Sequence, residues 1–501
     1  MSLLSKLLLT TILACSVFQR ANAIENYRVV KSDKATHQFI DSAGRARFFH
    51  GTNVVFKDPP YHPVIDHFDA AKSFSEEDAR LLSELGINSI RLGVLWAGVE
   101  PVRGVYDQKY IDVAHKIIQF CAKYNIYVLI DMHQDVLAPQ FCGEGAPEWF
   151  AKPDWVSRIK KFPFPQKLQP FKTDARGIPL PGQCGTIRWD LSYLTMAVGN
   201  AFGRLYNNYD GLGDSFAAYW KKLAIEFGKY SNILGYNLMN EPWAGDTWAD
   251  PTLLVPGVAD KKVLEPLWNK CNQEIRKVDN ETLIFFEGVT WNILSGFNNV
   301  PGGAANAEKT VLSWHYYKPP QLVSIEETYK NRVKDMNRLS CGGMLTEFTM
   351  WHGNQAQRDD ILHSVQVSDQ FLHSWTGWVY KSFEHDGNAG SSLFDSVSGE
   401  VRPDMEPLNA RTYASAVAGI AKSMHFDDSN GSFTLEWVAN PKIMAPTEIN
   451  FSKRINYPNG YTISTVPENV IMWRQEGSKL LITYTGQVTQ NQVLKLVMKR
   501  T

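Results

Sequence analysis

The chain of 501 residues lacks a dominant charge. Its 51 Lys and Arg residues nearly balance 52 Asp and Glu residues, for a formal net charge of −1. Acids and bases are interspersed along the chain rather than gathered in blocks. Nucleic-acid binding depends on a basic face that attracts phosphates. The composition therefore gives no support for a nucleic-acid partner.

Long apolar runs are missing after the N-terminus. The run at 7–18 follows Lys6 and precedes the small-x-small triplet at 21–23. It is shorter than the roughly 20 residues that span a bilayer, and this order of segments is typical of a cleaved signal peptide. We therefore expect 1–23 to be a signal peptide. The mature protein, from about Ile24 on, is then predicted to be secreted, into an extracellular, digestive or lysosome-like compartment.

Cysteine is scarce, and the predicted mature chain has an odd number of cysteines. Of six cysteines, one lies in the predicted signal peptide, which leaves Cys121, Cys142, Cys184, Cys271 and Cys341, so at least one thiol has no partner within the chain. Cys142 and Cys184 bracket a loop rich in Pro and Gly, and we expect them to form a disulfide. A second pairing, Cys271 with Cys341, is also considered, and Cys121 is predicted to be buried in a helix.

Three Asn-x-Ser/Thr triplets begin at Asn280, Asn430 and Asn450. Such triplets accept N-linked glycans in secreted eukaryotic proteins, although they also arise by chance. Together with the predicted signal peptide, they make the protein a candidate glycoprotein.

Metal-binding motifs are missing as well. The sequence contains no His-Glu-x-x-His run, and its His and acid residues have another explanation in the strand-end motifs described below. We therefore expect neither a metal nor another cofactor. Internal repeats and low-complexity linkers are also missing, so the two domains described below are expected to share a fixed interface. We expect the protein to be a monomer.

Apolar runs alternate with amphipathic segments through most of the chain. The strand-like runs are 48–55, 89–95, 127–132, 234–239, 283–287, 311–314, 344–346 and 377–383, and helical patterns cover 75–85, 111–124, 215–230, 263–277 and 359–372. Strand alternating with helix eight times predicts an α/β protein, a (β/α)8 TIM barrel, over 24–425. A small hairpin made by 29–41 and 46–50 is predicted to cap the base of this domain.

The pattern changes near residue 426. From there to 501, short alternating segments are separated by turn residues such as Pro458-Asn459-Gly460. Short strands with period-two alternation are typical of a β-sandwich. We therefore predict a C-terminal β-sandwich domain over 426–501, packed on the barrel.

Two acids each end an apolar run of the predicted barrel. Glu241 belongs to Asn-Glu-Pro at 240–242, after the fourth strand, and Glu347 ends the seventh. An isolated Asn-Glu-Pro is also compatible with an ordinary loop acid followed by a strand stop. However, barrel enzymes carry catalytic residues at the carboxyl ends of strands, and paired carboxylates are the usual equipment for sugar hydrolysis. The two acids therefore support the hypothesis of a glycosidase.

Polar residues at other strand ends complete a known order of motifs. Arg91 lies in the second strand, Asp-Met-His-Gln-Asp at 131–135 ends the third, and His-Tyr-Tyr at 315–317 ends the sixth. With Asn-Glu-Pro and with Thr-Glu-Phe at 346–348, this order resembles glycoside hydrolase family 5 over essentially the whole barrel. The resemblance implies a hydrolase that retains the anomeric configuration.

Further motifs are similar to one branch of that family, the endoglycoceramidases. They are Lys57 before Pro-Pro-Tyr at 59–61, the run at 131–135, Ala-Pro-Glu-Trp at 146–149 and the C-terminal sandwich. Enzymes of this branch cut the β-glycosidic bond between an intact oligosaccharide and ceramide. The resemblance thus implies a glycosphingolipid substrate and transient contact with a membrane or micelle surface.

The resemblance also implies roles for single residues. Glu241 would be the acid/base and Glu347 the nucleophile. The shell of the cleavage site would consist of Arg91, His133, Asn240, His315 and Tyr317, with Lys57 and Asp135 on the hydroxyls of the first sugar. Taken singly, Arg91 is also compatible with a structural ion pair, His133 with a core histidine, and Tyr317 with plain packing.

Strand eight departs from the family pattern. The family has a tryptophan platform at the end of this strand, whereas here Trp-Val-Tyr-Lys at 378–381 leaves either Trp378 displaced or Lys381 in its place. Trp189, in the long insertion between the third and fourth strands, is a further candidate to line the sugar site. Its alternative is the core of a lid.

The same insertion is rich in aromatic residues. Ceramide carries two alkyl chains, so an enzyme that accepts it needs an apolar groove beside the mouth. The candidates for this groove are Phe141, Trp149, Phe150, Trp155, Phe162 and Phe164, and a buried lid is the alternative. Without such a groove, a β-glucosidase or endoglucanase acting on soluble β-glucans remains open. A non-catalytic glycolipid-binding protein is the other alternative, but the presence of both acids argues against it.

Overall fold

The computed structural model describes residues 27–151, 161–289, 293–318, 321–383, 393–395 and 398–501. The predicted signal peptide lies outside these residues. Within them, no helix is both long enough and apolar enough to cross a membrane.

Three short strands begin the described chain: β1 (Val29–Ser32), β2 (Phe39–Asp41) and β3 (Ala46–Arg47). They pair antiparallel, β1 with β2 and β2 with β3. Val29 and Phe39 pack against Leu234 and Phe285 in an apolar cluster inside the barrel. The N-terminal strands therefore close the base of the barrel, as predicted for this segment.

Eight parallel strands close into a barrel, as predicted. They are β4 (His50–Val54), β5 (Ser89–Gly93), β6 (Tyr127–Asp131), β7 (Ile233–Asn237), β8 (Leu283–Phe286), β9 (Thr310–Tyr316), β10 (Gly342–Phe348) and β11 (Ser374–Gly377). Every residue of these strands is buried. Parallel strands covered on both faces appear in sequence as near-continuous apolar runs, which is why the pattern located them.

The last barrel strand differs from its prediction. Strand β11 covers Ser374–Gly377, whereas the apolar pattern placed the strand at 377–383. Val379, Tyr380 and Phe383 are buried, but they belong to the loop that follows the strand. The apolar run predicted a strand here because its loop residues are buried against the barrel. Such a run indicates burial, but it does not show that the residues form strand hydrogen bonds.

Helices connect the strands and cover the outside of the barrel. The longer ones are α1 (Glu76–Glu84), α2 (Gln108–Lys123), α3 (Met196–Tyr206), α4 (Leu212–Phe227), α5 (Glu265–Arg276), α6 (Ile325–Leu339) and α7 (Gln355–Gln370), and short helical turns cover Trp96–Val99, Glu406–Asn409 and Lys453–Asn456. In α2, the carboxylate of Asp107 accepts hydrogen bonds from the backbone N–H groups of Lys109 and Tyr110. This N-cap satisfies donors that the first turn leaves unpaired. Helices α3 and α6 are additions to the predicted pattern.

The C-terminal part forms two antiparallel sheets. Its strands are β12 (Tyr413–Val417), β13 (Gly419–Asp427), β14 (Ser432–Ala439), β15 (Thr447–Asn450), β16 (Tyr461–Val466), β17 (Ile471–Glu476), β18 (Lys479–Tyr484) and β19 (Val493–Arg500). One sheet has the order β13-β14-β19-β16, and the other has the order β1-β2-β3-β12-β15-β18-β17. The second sheet thus includes the N-terminal strands, and its C-terminal strands begin before residue 426.

Buried ion pairs tie the two ends of the chain together. Arg45 bonds Asp41 at 2.9 Å and Glu448 at 2.7 Å, and Lys479 bonds the other oxygen of Glu448 at 3.0 Å. Burial acts to raise the pKa of Glu448, but the charges of Lys479, Arg47 and Arg45 outweigh it and hold that pKa far below its ordinary value. The barrel base and the C-terminal sheet therefore share one charged interface.

Cys142 and Cys184 form a disulfide, as predicted. Cys121 is buried in α2, also as predicted. The considered pairing of Cys271 with Cys341 is wrong, because both thiols are free and buried, Cys271 in α5 and Cys341 immediately before β10. Their burial is that of small apolar side chains in the core.

The predicted apolar groove in the insertion is largely wrong as well. Phe141, Phe150 and Phe162 are buried in the core, and Trp149 packs edge-on against Trp96. Phe164 is half-buried, and Trp155 lies outside the described residues. The aromatic side chains of the insertion are therefore used mainly for packing, in agreement with the alternative of a buried lid.

Candidate active site

The two acids that the sequence pairs do meet at the mouth of the barrel. Glu241 follows β7, and Glu347 lies in β10. A carboxylate oxygen of Glu241, one of Glu347 and a ring nitrogen of His315 all lie within 4.8 Å of one another. Retaining glycosidases hold their carboxyls roughly 5–5.5 Å apart, whereas inverting enzymes need roughly 6.5–9.5 Å for an intervening water. The separation fits a covalent mechanism.

Arg91 lies beneath these acids and is fully buried. Its guanidinium donates to five acceptors: Glu347 Oε1 at 2.6 Å, Asn237 Oδ1 at 2.8 Å, Asp131 Oδ1 at 2.8 Å, Asn240 Oδ1 at 2.9 Å and Asn53 Oδ1 at 3.1 Å. A guanidinium has five N–H groups, so its donor capacity is used in full. The alternative of a purely structural ion pair does not describe this residue, because one of its partners is Glu347 itself.

Tyr317 holds the other side of Glu347. Its hydroxyl donates to Glu347 Oε2 at 2.7 Å, while Arg91 bonds Oε1. Hydrogen bonds from a cation and a hydroxyl favour the ionised form of a carboxyl group. Both oxygens of Glu347 are therefore held by donors that suit a carboxylate.

His315 lies among three carboxylates. Its Nδ1 is 2.8 Å from Glu241 Oε1 and 3.5 Å from Glu347 Oε2, and its Nε2 is 3.1 Å from Glu287 Oε1. Burial opposes a charge on this ring, but the negative charges of Glu287 and Glu347 raise the pKa of His315 well above its ordinary value. The imidazolium is therefore the positive centre of this group.

Glu241 combines an unusual backbone with a raised pKa. Its φ of +40° lies in the left-handed region, its N–H donates to Glu287 Oε2 at 2.9 Å, and its carbonyl accepts from Gln134 at 3.0 Å. Positive φ is uncommon for a residue with a side chain and persists where neighbours hold it. Burial above all raises the pKa of the Glu241 carboxyl, and the charge of Glu347 adds to this, although His315 opposes it.

A second cluster lies beside the two acids. His133 Nδ1 is 2.9 Å from Asp131 Oδ2 and its Nε2 is 3.5 Å from Asp135 Oδ2, which also contacts the ammonium of Lys57. The Trp378 ring stacks on His133 with centroids 5.2 Å apart, and Lys57 Nζ is 5.0 Å from the centroid of the same ring. Burial lowers the pKa of His133, but hydrogen bonds and charges from Asp131 and Asp135 raise it to about 9.

The structure separates the two candidates on strand eight. Trp378 joins the cluster at the mouth, whereas Lys381 is buried and pairs with Asp78 while donating to the backbone of Asp69 at 2.7 Å. The alternative that Lys381 takes the tryptophan's position is therefore wrong. Trp189 is more than half exposed at the start of a short 3-10 helix (Trp189–Leu194), with its ring centroid 6.3 Å from that of Tyr193, so it is not part of a lid core.

Within the described part of the chain, two groups of carboxylates and histidine have the spacing of possible metal ligands: Glu241 with His315 and Glu347, and His133 with Asp135 and Glu144. In both groups the anions already have a protein cation. The ammonium of Lys57 contacts Asp135 and lies 3.4 Å from Glu144, and the imidazolium of His315 lies among its acids. The residues present therefore fit a charge-balanced protein site rather than a metal site.

Several residues of the site were not among the sequence candidates. They are Asn53, Asp131, Gln134, Glu144, Asn237 and Glu287. Glu287 had a usable signal, because it ends the apolar run of β8 as Glu241 and Glu347 end theirs. Glu144 had none, because it lies in the insertion and is separated along the sequence from the end of β6.

Together, the barrel and this geometry define a glycoside hydrolase with two carboxyls arranged for retention. Residues 65–384 match the model of Cellulase (glycosyl hydrolase family 5), and residues 411–497 match the glycoside hydrolase family 5 C-terminal domain. The chain belongs to glycoside hydrolase family 5, and within it to the endoglycoceramidases.

Curated relatives carry the second step of this assignment. The chain is 39% identical to the endoglycoceramidase of Cyanea nozakii over 92% of each chain. It is 42% identical to the endoglycoceramidase of Hydra vulgaris, covering 86% of this chain and 82% of the relative. Among solved structures, endo-glycoceramidase II from Rhodococcus sp., determined as a lactosyl-enzyme intermediate, shares the fold with a TM-score of 0.72 at 21% identity, covering 92% of this chain and 99% of that one.

Replacing Arg91 by Lys tests its central position. An ammonium has three donors, so at least two of the five acceptors lose their partner in a buried site, each at a cost of roughly 1–3 kcal/mol. We expect a lower melting temperature and a fall in kcat/KM of at least about 100-fold, measured by calorimetry and steady-state kinetics. The control Arg103→Lys, at an exposed pair with Asp210, should change neither. Wild-type kinetics in Arg91→Lys would contradict the assignment.

Proposed function

We propose that the protein hydrolyses the β-glycosidic bond between the oligosaccharide and the ceramide of glycosphingolipids, with Glu347 as nucleophile and Glu241 as acid/base. The observation that carries this proposal is the close pair of carboxyls in two environments. Arg91 and Tyr317 favour a charge on Glu347, whereas burial raises the pKa of Glu241. The named endoglycoceramidases among its relatives support the choice of ceramide as leaving group.

The first step forms a glycosyl-enzyme ester. A carboxylate oxygen of Glu347 attacks the anomeric carbon, and the bond from that carbon to the ceramide oxygen breaks. Glu241 gives its proton to the departing oxygen, so that ceramide leaves as a neutral alcohol. Because Glu347 becomes neutral in the ester, Glu241 ionises without the negative charge of Glu347 beside it.

The second step uses the same two residues in reverse. Glu241, now a carboxylate, takes a proton from a water molecule as that water attacks the anomeric carbon. The ester bond to Glu347 breaks, and the sugar leaves with its original anomeric configuration. His315 stays within 2.8 Å of Glu241 and supplies the positive charge that stabilises its ionised form.

The first sugar is assigned to the cluster around Trp378. An aromatic ring packs well on the apolar face of a sugar, and the hydroxyls have His133, Asp135 and Lys57 as partners. Asn240 is held by Arg91 next to Glu241 and is suited to the hydroxyl beside the reacting carbon. Trp189, being exposed in the insertion, is a candidate for a sugar farther from the cleavage point.

The loops after β7, β8 and β9 are the candidate lipid side of the mouth. They carry exposed apolar side chains, Trp248, Leu254 and Val255 after β7, Ile293 and Leu294 after β8, and Leu322 after β9. These loops include the acid Glu241 and lie across the mouth from Trp378, so a leaving group protonated by Glu241 departs toward them. Clustered exposed apolar residues are typical of membrane or lipid contact. We assign transient membrane or micelle contact to this surface, in place of the insertion.

Two alternatives have less support. A β-glucosidase or endoglucanase on soluble β-glucans needs the same two acids but no apolar rim. A non-catalytic glycolipid-binding protein has no need of paired acids held in two different environments. Incubation with gangliosides, neutral glycosphingolipids and cello-oligosaccharides separates these functions. Free ceramide with an intact glycan is the expected product, and glucose alone would favour the first alternative.

We further propose that the protein is a secreted monomer, glycosylated at Asn280 or Asn430, which are exposed. The candidate Asn450 is wrong, because it is buried in β15 and its Nδ2 donates to Gly86 O at 3.1 Å. The segment at 1–23 supports secretion, and the Cys142–Cys184 disulfide is of the kind that persists in oxidising compartments. Detection of the processed protein in culture medium, with a mass reduced by enzymatic deglycosylation, tests this proposal. Light scattering of that material tests the monomer.

Replacing Glu347 by Gln removes the nucleophile. Loss of the attacking group in a covalent mechanism should lower kcat by several orders of magnitude. A fluorosugar that traps the ester should label wild-type Glu347, as read by mass spectrometry of digested protein. Label on Glu241, or an inverted product anomer by NMR, would contradict the roles.

The activity should follow a bell-shaped pH profile with an acidic to near-neutral optimum. The raised pKa of Glu241 keeps its proton to higher pH, so activity is present below that pKa and lost as pH rises through it. The two limbs of the profile belong to the coupled pair of acids rather than to either residue alone. Glu287→Gln should move the basic limb of kcat/KM to higher pH, because a less cationic His315 no longer opposes the raised pKa of Glu241. The exposed control Glu281→Gln should leave the profile unchanged, and an optimum well above neutrality would exclude a carboxylic acid donor.

The lipid side predicts a dependence on chain length. Each buried methylene contributes up to about 0.8 kcal/mol, so kcat/KM should fall from full-length ceramide to short-chain ceramide to an aryl aglycone bearing the same glycan. The double variant Leu254→Ser with Val255→Ser should lose activity on long-chain ceramide and keep it on the aryl glycoside. Its matched control is Met472→Ser, an exposed apolar residue of β17. Equal efficiencies on all three substrates, measured below their aggregation thresholds, would contradict lipid recognition.

A further inference from the structure

The loop that carries Glu144 is pressed against the strand end that carries His133 and Asp135. Asp135 and Glu144 exchange two backbone hydrogen bonds, from Asp135 N at 3.2 Å and from Glu144 N at 2.8 Å. Glycines flank Glu144 on both sides. A Cβ on Gly143 would lie 2.0 Å from the carbonyl oxygen of Asp135, and one on Gly145, whose φ is +119°, would lie 2.6 Å from that of His133.

The same loop is fixed at its other end. Cys142, with a left-handed φ of +62°, immediately precedes Gly143 and is bonded to Cys184. A covalent link, two glycines and a two-bond bridge thus hold a single side chain, that of Glu144, in one place. None of these constraints is needed to place the two acids, because Glu241 lies on the loop after β7 and Glu347 lies in β10.

The Glu144 carboxyl reaches the lysine of the sugar cluster. Its Oε1 is 3.4 Å from Lys57 Nζ, whose ammonium also contacts Asp135. This oxygen is buried and has no hydrogen-bond partner among the described residues. A buried polar atom without a partner is costly and marks a place where a ligand or a proton completes the arrangement.

Burial and a neighbouring carboxylate favour the neutral form of Glu144. The charged groups that face it are Lys57 from the loop after β4 and Asp135 and His133 from the loop after β6, while the phenol of Tyr61 lies within electrostatic reach. Burial raises the pKa of Glu144 to about 8, helped by the charge of Asp135 and opposed by Lys57. With Glu144 neutral, the ammonium of Lys57 faces a single carboxylate in this cluster, that of Asp135.

We propose that Glu144 is a positioning residue of the sugar site, a neutral carboxyl that holds Lys57 and Asp135 in place for the hydroxyls of the first sugar. The inference rests on the proposed sugar contacts of Lys57 and Asp135. It assigns a purpose to the Gly-Glu-Gly run and to the disulfide beside it. Ionisation of Glu144 would add a second anion next to Asp135 and disturb the pair.

The test compares Glu144→Ala, Glu144→Gln and the exposed control Glu148→Gln on an aryl β-lactoside, which has no lipid part. In Glu144→Ala, kcat/KM should fall about tenfold to hundredfold, mostly through KM, because sugar binding and not the chemical step is disturbed. Glu144→Gln keeps a neutral hydrogen-bonding group of the same shape and should stay within about threefold of the wild type at pH 6. The KM of the wild type should rise above about pH 8, whereas that of Glu144→Gln should not.

Equilibrium binding of the lactoside to the same variants in a Glu347→Gln background gives a second readout without turnover. Melting temperatures within a few degrees of the wild type establish that the variants are folded. If Glu144→Ala binds and turns over the lactoside as Glu148→Gln does, the proposal is wrong. It is equally wrong if Glu144→Gln fails at pH 6 as badly as Glu144→Ala. Failure to cleave ceramide would overturn the proposed function and leave this result intact, because the lactoside carries no ceramide.

Discussion

The burial of one guanidinium is the constraint on which the catalytic face depends. Arg91 has no contact with solvent, and a buried cation is tolerated only when its donors are paired. Its five partners come from strands β4, β6 and β10, from β7 and from the loop that follows it. Closure of the barrel brings these strand ends around one point. The position of the nucleophile is therefore set by the barrel itself and not by a flexible loop.

The three glutamates at the mouth have the same carboxyl group but three different environments. Glu347 is held by Arg91 and Tyr317, Glu287 by His315 and the Glu241 backbone, and Glu241 mainly by burial. Burial would raise the pKa of Glu287 too, but the charges of His315 and Arg91 outweigh it and lower that pKa. Unequal pKa values in a group of carboxyls are what acid/base catalysis with retention requires. Glu287 thus explains how His315 stays cationic beside an acid that keeps its proton.

Buried ion pairs also link the base of the barrel to the C-terminal sheets. Strand β3 pairs with β12, so that residues before the barrel and after it complete one sheet. Arg45, Asp41 and Glu448 link this sheet through buried ion pairs, and Arg411 joins Asp369 of the barrel helix α7 to Asp428 in the turn after β13. Removing one partner of a buried ion pair leaves an unpaired charge, which costs more free energy than the intact pair contributes. These pairs therefore hold the barrel and the C-terminal sheets in one relative position.

The sequence by itself determined the alternation of strands and helices, the two acids at strand ends and the family. Those features are local, because strands buried on both faces must be apolar and a polar residue at their ends stands out. It misplaced β11 and expected an apolar groove from aromatic residues that are buried, since Tyr380 and Phe141 are apolar whether they pack in a strand, a loop or a lid. Tertiary structure alone decided the five bonds of Arg91, the position of Glu287 under Glu241, and the contact of Glu144 with Lys57. These contacts join residues far apart in the chain, and only closure of the barrel and the Cys142–Cys184 bond bring them together.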